Sequence, residues 1–390
     1  MNHNVLCTSN GSFWNIQNIL HSYYRPPNDI MNIHKPFTAS TFLVGDLPME
    51  LKFFMNLEQF QVFNNPGITG GFPAFLKDMS NINYIGLHYC ELIGPLPAWL
   101  GDMTSLKSLV LSNNNFSGEL PSSMADLVQL ENLYLDDCNF SGDIQVLGSL
   151  AQLENVVLED NEFTGTMDDD LVGTWTNLKS FDASHNRFQG TIPAAFFQLS
   201  NLRILDLHQN NFSGKMPVPS ISNGNSALEV LTLNVNSLTG SVPSELGQLV
   251  NLQQLDLSNN KITSTLPTTL GNLVNLQYFY VAQNPFSAAE VPTFLSKMTA
   301  LKEVSLKDTQ LVDGIPDFIG RMSSLIMLDL DDNRLQGSIP DTLANARNLQ
   351  YLLLNRNELT GIVPASLSSL SKLSKFALLV LCAFNLVHFL

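Results

Sequence analysis

The sequence predicts an α/β repeat solenoid, a stack of short coils in which each coil adds one strand to a parallel sheet. Three observations support this fold class. A leucine-rich element recurs thirteen times at intervals of 23 to 26 residues, an asparagine follows the leucines in most copies, and a glycine and a proline close most of them. Repeats of this length are typical of solenoids, because a single coil cannot cover its own apolar face.

The recurring element reads L-x-x-L-x-L-x-x-N-x-[LF]-x-G-x-[IL]-P. Its last position falls at residues 73, 97, 121, 145, 168, 193, 217, 243, 267, 292, 316, 340 and 364. Clear copies are LSNNNFSGELP at 111–121 and LLLNRNELTGIVP at 352–364. Leu109 and Leu111 share one face of a short strand, since strand side chains alternate, so these leucines are predicted to point into the core.

The asparagine column predicts a ladder of buried amides that bond backbone groups where the chain leaves each strand. Its members are Asn65, Asn114, Asn161, Asn186, Asn210, Asn236, Asn260, Asn284, Asn333 and Asn357. Cys90 and Cys138 stand in the same column and are predicted to be buried structural thiols. The glycine permits a tight bend, and the proline stops a helix or a central strand, so both belong on the returning segment.

These motifs resemble the plant-type leucine-rich repeat family, whose 24-residue consensus carries the same asparagine, glycine and isoleucine-proline. The resemblance covers about 42–378. It implies a curved solenoid with a parallel concave sheet and short 3₁₀ or helical segments on the convex side. Family members include ectodomains of receptor-like kinases and receptor-like proteins, and inhibitors of cell-wall-degrading enzymes. They recognise ligands mostly through the inner face. The resemblance therefore implies that this chain is located at the cell surface or outside the cell.

The predicted organisation is an irregular N-terminal segment at 1–41, the solenoid at 42–378 and an apolar tail at 376–390. The N-terminus lacks the basic start and unbroken apolar run of a secretory signal, so no signal peptide is visible. The tail has two interpretations. It is either an anchor or short membrane segment, or an interrupted last coil, because its fifteen residues fall short of the ~20 that span a bilayer.

Composition excludes some function classes. Nineteen basic against thirty-five acidic residues give a formal charge of −16, which disfavours nucleic-acid binding. No cofactor or metal motif is present. Asp182, Ser184 and His185, with His208 on the next coil, bring a carboxylate, a hydroxyl and imidazoles near one another. We nevertheless expect no enzyme activity, because an open sheet offers neither an oxyanion hole nor a pocket that excludes water.

Acidic residues are concentrated on the predicted concave face. The candidate ligand-binding residues are a first cluster of Asp136, Asp137, Glu159, Asp160 and Asp182, a second cluster of Asp308, Asp329, Asp331 and Asp332, and Asp206. Carboxylates on one face attract a basic peptide or protein. They are also compatible with a face that is only solvated, or with a calcium site.

The predicted face of the early coils also carries aromatic residues, namely Phe63, Tyr84, His88, Tyr89 and Tyr134. Amphipathic aromatic side chains are common interface anchors, so Tyr89 and Tyr134 are further candidate contacts. The alternative is that the early coils are covered by the N-terminal segment. Asn115, Asn139 and Asn211 lie in N-x-[ST] sequons and are candidate glycosylation sites if the chain is secreted.

The sequence thus predicts a non-catalytic, receptor-like recognition module. It would bind a protein or peptide ligand on the acidic concave face and signal through a partner such as a membrane co-receptor, with membrane association possible through the tail. The alternative is a secreted or wall-associated inhibitor or structural protein that binds an enzyme or a polymer. A receptor would be held at a membrane, whereas an inhibitor would be soluble and bury a larger face.

Overall fold

The computed structural model describes residues 5–7, 13–15, 44–219 and 227–378. Two compact units, Met1–Phe163 and Thr164–Leu390, make up the chain. The first described elements are the strands Val5–Cys7 and Phe13–Asn15, which pair antiparallel. Most of the predicted segment 1–41, and residues 379–390 of the predicted tail, lie outside the described residues.

The first unit contains a main parallel sheet in which each coil supplies one strand. Its strands are Gln59–Gln61, Tyr84–Gly86, Ser108–Val110, Asn132–Tyr134 and Asn155–Val157. The register places Leu109 opposite Leu133 and Leu133 opposite Val156. All three side chains are fully buried, because each stacks on its equivalent in the next coil.

A second set of strands in this unit follows the ladder positions. These strands are Val44–Asp46 paired with Gly67–Thr69, and Ile93–Gly94, Asn115–Glu119, Asn139–Gly142 and Glu162–Phe163 in one sheet. The returning segments are 3₁₀ helices at Met49–Phe53, Ala74–Asp78, Ala98–Asp102, Ser122–Asp126 and Gln145–Ser149. Phe116, Phe140 and Phe163 of the second sheet stack with centroid spacings of 6.2 and 6.1 Å.

The second unit repeats this plan over more coils. Its main-sheet strands are Ser180–Asp182, Ile204–Asp206, Val230–Thr232, Gln254–Asp256, Tyr278–Tyr280, Glu303–Ser305, Met327–Asp329, Tyr351–Leu353 and Lys375–Ala377. Its secondary strands are Gln189–Gly190, Asn211–Lys215, Ser237–Gly240 and Lys261–Ile262, and the separate pair Gln336–Gly337 and Glu358–Leu359.

The returning segments of the second unit are again mostly 3₁₀ helices. They are Ala194–Gln198, Ser244–Gln248, Thr268–Asn272, Thr293–Lys297, Asp317–Arg321, Asp341–Asn345 and Ala365–Ser369. One segment, Asp169–Gly173, is α-helical. Its repeat carries Asp168 where most others have proline, and the Asp168 carboxylate accepts the Leu171 N–H at 2.8 Å, an N-cap that favours an α-helical turn.

The ladder asparagines bond the backbone of their own coil and of the coil before it. Asn260 Nδ2 donates to the carbonyls of Leu233, Leu257 and Ser258 at 2.9 to 3.3 Å, and its Oδ1 accepts the Leu238 N–H at 2.9 Å. Equivalent backbone bonds are made by Asn114, Asn161, Asn186, Asn210, Asn236, Asn333 and Asn357. One amide therefore satisfies several backbone groups that the turn leaves without partners.

The residue before each ladder position has a left-handed backbone. In the first unit these residues are Asn64, Tyr89, Asn113, Asp137 and Asp160, with φ between 49° and 57°. In the second unit they are His185, Gln209, Val235, Asn259, Gln283, Asp308, Asp332 and Arg356, with φ between 49° and 58°. Such a conformation is uncommon for residues other than glycine, and here each of these corners lies beside an equivalent corner of the next coil.

Cys90 and Cys138 occupy ladder positions as buried, free thiols. The Cys90 Sγ lies 3.8 Å from the Val62 carbonyl, and the Cys138 Sγ lies 3.5 Å from the Leu111 carbonyl. Burial raises the pKa of Cys90 to about 11 and that of Cys138 to about 12, so both stay protonated and unreactive. At these two positions the thiol makes one of the bonds to backbone carbonyls that a ladder asparagine would make with its amide.

The predicted solenoid, its parallel sheet and its 3₁₀ segments are confirmed by these elements. Within the described residues, every helix is too short or too polar to cross a lipid bilayer.

Replacing Asn260 with alanine removes its amide from four backbone groups, so we expect a loss of about 3 kcal/mol in unfolding free energy. The measurement is the midpoint of urea unfolding. Asn272→Ala is the matched control, because Asn272 is exposed on a 3₁₀ helix and should change stability by less than about 0.5 kcal/mol. Equal effects of the two substitutions would contradict a stabilising ladder.

Candidate functional site

The candidate site is the open face of the main sheet, which we define as the side opposite the buried leucines. Ser108 and Val110 lie on it, because they flank the inward-facing Leu109. The corner residues that follow each strand extend this face.

In the first unit, Asp136, Asp137, Glu159 and Asp160 form a group that we call the first acidic cluster. The Asp136 carboxylate accepts the Ser112 hydroxyl at 2.5 Å. Burial raises the pKa of Asp136, the Ser112 bond opposes the rise, and the charges of Asp137 and Asp160 add to it. Asp137 and Asp160 are exposed corner residues with left-handed backbones. The cluster therefore presents several carboxylates outward from adjacent coils.

Aromatic side chains adjoin this cluster on the same face. Burial raises the pKa of Tyr134 to about 12, with added effects of Tyr84 and Asp136, and the pKa of Tyr89 is raised by burial and by Asp136 and Asp137. Electrostatic coupling of this kind requires proximity. The two tyrosines predicted from the sequence thus lie within reach of the acidic cluster.

His88 connects these tyrosines to the earlier coils. Its ring stacks on Phe63 at 4.9 Å and meets Tyr89 edge-on at 5.9 Å. Burial lowers the pKa of His88 to about 4, and its Nδ1 is buried without a hydrogen-bond partner. His88 is therefore a neutral aromatic surface at ordinary pH. The sequence had already placed His88 on this face with the tyrosines.

In the second unit, Asp182, His185, Asp206, His208 and Asp256 form a group that we call the histidine-aspartate group. His208 Nδ1 lies 2.6 Å from Asp206 Oδ1, and the His185 and His208 rings meet edge-on at 4.7 Å. Burial, followed by the charge of Asp206, raises the pKa of Asp182 to about 6. Burial also raises the pKa of Asp256. Asp182, which the sequence grouped with the first cluster, belongs to this unit.

This arrangement is not that of a hydrolase. Ser184 is fully buried, and its hydroxyl donates to the Asp182 carboxylate at 2.7 Å instead of to an imidazole. A serine nucleophile needs a base that accepts its proton and an exposed oxygen that can reach a substrate. Within the described residues, no group of three or more histidine, cysteine or acidic side chains is placed to hold a metal ion.

Several aspartates of the open face also have a structural role that sequence reasoning missed. Each closes the end of its strand by accepting the backbone N–H two residues later, at 2.9 to 3.1 Å. The pairs are Asp182 with Ser184, Asp206 with His208, Asp256 with Ser258, and Asp329 with Asp331. The signal was available, because aspartate commonly bonds a backbone N–H two residues on. Part of the acidity on this face is therefore explained by the turn.

The second predicted cluster is largely compensated within the fold. Asp331 is 7% exposed, against the expectation of an outward position, and its carboxylate accepts the Asn355 N–H at 2.6 Å and its Nδ2 at 3.0 Å. Asp329 accepts the Ser305 hydroxyl at 2.9 Å. Asp332 pairs with Arg356 and lies 3.5 Å from Lys307 Nζ. Asp308 is an exposed corner residue.

The three candidate glycosylation asparagines, Asn115, Asn139 and Asn211, are exposed at the first residue of secondary strands. An attached glycan would therefore meet no buried surface there.

Asp182→Asn is expected to change the pH dependence of stability. The pKa of Asp182 in the fold is about 6, above its usual value near 4, so its contribution is most favourable below about pH 4 and is lost as pH rises through 6. Asparagine keeps an acceptor for Ser184 and carries no charge. The variant should gain about 1 to 2 kcal/mol at pH 7.5 and little at pH 4.

Thermal unfolding at the two pH values measures this difference. Glu290→Gln is the control, since Glu290 is exposed and the substitution removes the same charge. If Asp182→Asn gained no stability at pH 7.5 relative to pH 4, the raised pKa assigned to Asp182 through burial and the charge of Asp206 would be wrong.

Family models for leucine-rich repeats match this chain in both units. The model described as a leucine-rich repeat region matches 177–313, a second repeat model matches 299–359 and 323–378, and a third matches 105–127. Together these matches cover more than half of the chain. Among curated proteins, none matches the sequence significantly.

Solved structures of plant receptors share the fold. The ectodomain of the membrane receptor kinase GASSHO1/SCHENGEN3 from Arabidopsis thaliana, in complex with Casparian strip integrity factor 2, is 30% identical with a TM-score of 0.75, and the match covers 86% of this chain and 42% of that one. The plant peptide hormone receptor RGFR1, in complex with RGF2, is 27% identical with a TM-score of 0.73, covering 86% and 61%.

The Arabidopsis receptor kinase HAESA, in complex with the peptide hormone IDA and the co-receptor SERK1, is 26% identical with a TM-score of 0.61, covering 86% and 64%. The chain spans about half the length of the receptor ectodomains that it matches. The repeat motifs, the fold and these similarities agree: the chain belongs to the plant-type leucine-rich repeat family.

Proposed function

We propose that this protein is a non-catalytic, receptor-like recognition module that binds a basic protein or peptide segment on its open face and acts through a partner protein. The observation that carries the proposal is the first acidic cluster with the adjoining Tyr89 and Tyr134. It combines exposed carboxylates, which attract cations, with aromatic side chains, which supply contact area at low entropic cost.

The left-handed residues before the ladder positions indicate that Asp137 and Asp160 are not acidic for solubility alone. A left-handed backbone favours asparagine and aspartate, which would explain Asp137 and Asp160 without any ligand. Yet equivalent corners of the same chain carry tyrosine, valine and arginine, at Tyr89, Val235 and Arg356. The backbone therefore does not dictate an acid at these two positions, and their charge is open to a binding role.

The two predicted clusters differ in the neighbours of their aspartates, as Asp331, Asp332 and Asp136 show. Asp331 and Asp332 use their charges on groups of the same chain, namely Asn355, Arg356 and Lys307. In the first cluster, Asp136 accepts the Ser112 hydroxyl, and its pKa is raised by burial and by the neighbouring carboxylates of Asp137 and Asp160. Like charges held close together raise one another's energy, and a cationic ligand relieves that cost.

The similar solved proteins support the same kind of role. One is described as a plant peptide hormone receptor, and another is a receptor kinase in complex with a peptide hormone and a co-receptor. By this analogy we propose a peptide ligand, a co-receptor partner, and a location at the cell surface or outside the cell. The ligand residues proposed are Tyr89, Tyr134 and the four acids of the first cluster.

Neutralising Asp137 and Asp160 together as Asp137→Asn/Asp160→Asn should weaken binding of basic peptides at least tenfold, because asparagine fits the left-handed backbone and removes only charge. The measurement is capture of a synthetic peptide library of graded net charge by the full chain, at 50 and 200 mM salt. Asp102→Asn/Asp126→Asn, which removes two exposed charges from the 3₁₀ segments of the same unit, is the matched control.

Wild-type binding that showed no preference for basic peptides, or an equal loss in both double variants, would contradict this role for the cluster.

Location gives a separate prediction. Expressed in plant cells, the protein should be found in the membrane or extracellular fraction, and a glycosidase should reduce its apparent mass through Asn115, Asn139 and Asn211. An Asn→Gln triple variant is the control for the mass change. Soluble secreted protein that tightly binds a wall-degrading enzyme would favour the inhibitor instead, and unglycosylated cytosolic protein would contradict both.

A further inference from the structure

Thr232 occupies an unusual place in the second unit, between two aspartates of the open face. The strand register pairs Thr232 with Asp206 on one side and with Asp256 on the other. Leu231 points into the core and is fully buried, so Thr232 is on the opposite, outward side of its strand. The three side chains therefore form a row across three neighbouring strands.

The hydroxyl of Thr232 has no hydrogen-bond partner. Thr232 is only 5% exposed, and its Oγ1 is buried without a donor or acceptor in contact. A buried polar group that makes no hydrogen bond loses the bonds it would make to water, and folded proteins contain few of them. Because Thr232 lies between carboxylates, a cationic group that donates hydrogen bonds would fit beside its hydroxyl.

The charge around Thr232 is negative. Asp182 pairs in register with Asp206, which adds a third carboxylate at the end of the row. The imidazole of His208 contacts Asp206 and lowers the pKa values of Asp182 and Asp256 by its charge, and the His185 ring packs against it. The charged partner of Asp206 is His208, whose Nδ1 lies 2.6 Å from its carboxylate, and the Asp256 carboxylate accepts the Ser258 N–H.

We propose that Thr232, Asp206 and Asp256 form a subsite for one arginine side chain of the ligand. The inference rests on the proposed function and makes it more specific. Asp206 and Asp256 are two strands apart, or about 10 Å between backbones at the usual spacing. A guanidinium group is planar and carries five N–H donors, so it can donate to carboxylates on both sides and to the Thr232 oxygen between them.

A lysine ammonium fits this row less well. It is a compact charge on a single nitrogen, which contacts one carboxylate closely and leaves the other at a distance. Arginine also bonds carboxylates with more than one N–H, which adds specificity of orientation.

The subsite can be tested with the full chain and a small probe, by NMR of protein labelled with ¹³C at threonine methyl groups. The Thr232 signal is the one lost in Thr232→Val. We expect N-acetyl-arginine amide to shift this signal saturably at constant ionic strength, and the neutral isostere N-acetyl-citrulline amide to leave it unchanged. Asp256→Asn should weaken the arginine effect at least tenfold, whereas Glu290→Gln should not alter it.

Thr232→Val provides an independent readout that does not depend on a ligand. If the hydroxyl has no partner in the free protein, valine, which has nearly the same shape, should keep or raise the unfolding temperature. The same variant should bind an arginine-containing peptide about tenfold more weakly than the wild type does.

An equal shift with citrulline, no shift with arginine, or a marked loss of thermal stability in Thr232→Val would overturn the subsite. Its failure is distinguishable from failure of the proposed function. Basic peptides that bind through Asp137 and Asp160 but are unaffected by Asp256→Asn would leave the function standing and refute the subsite. A saturable arginine shift without binding of any library peptide would support the subsite and refute the function.

Discussion

The structure depends on the bonds that one amide makes between successive coils. Where each strand ends, the chain must turn out of the sheet, and the turn leaves carbonyl and N–H groups inside the protein. A ladder asparagine such as Asn260 supplies two donors and one acceptor to these groups in two coils at once. The turn therefore occurs at the same place in every coil, and the next strand enters the sheet in register.

Fixing the turn also fixes what the open face presents. The left-handed residue before each ladder position projects outward from the corner, so Asp137 and Asp160 stand beside each other on adjacent coils. Where cysteine replaces the asparagine, as at Cys90 and Cys138, one weak donated bond remains and burial holds the turn. A coil that departs from the repeat pattern changes the structure only locally, because each coil packs only against its neighbours. The α-helix after Asp168, which replaces a 3₁₀ segment, is an example.

Part of the acidity of the open face is used by the fold itself. Aspartates at strand ends accept the N–H two residues later, and Asp331 is used by the following coil. In the first acidic cluster, Asp136 lies near the carboxylates of Asp137 and Asp160 and near Tyr89 and Tyr134. Around Thr232, a buried hydroxyl without a partner identifies a place where the fold alone does not satisfy its own groups.

The sequence by itself determined the fold. Within each coil of about 24 residues, the repeat dictates the strand, the turn and the 3₁₀ segment. These elements are local consequences of the leucine, asparagine, glycine and proline positions. It also located the acidic positions. Only the tertiary structure decided which of them are compensated, since the partners of Asp331 and Asp332 lie 24 residues away on the next coil. Thr232 could not be found from the sequence, because the lack of a hydrogen-bond partner is a property of the packed neighbours and leaves no mark on the chain itself.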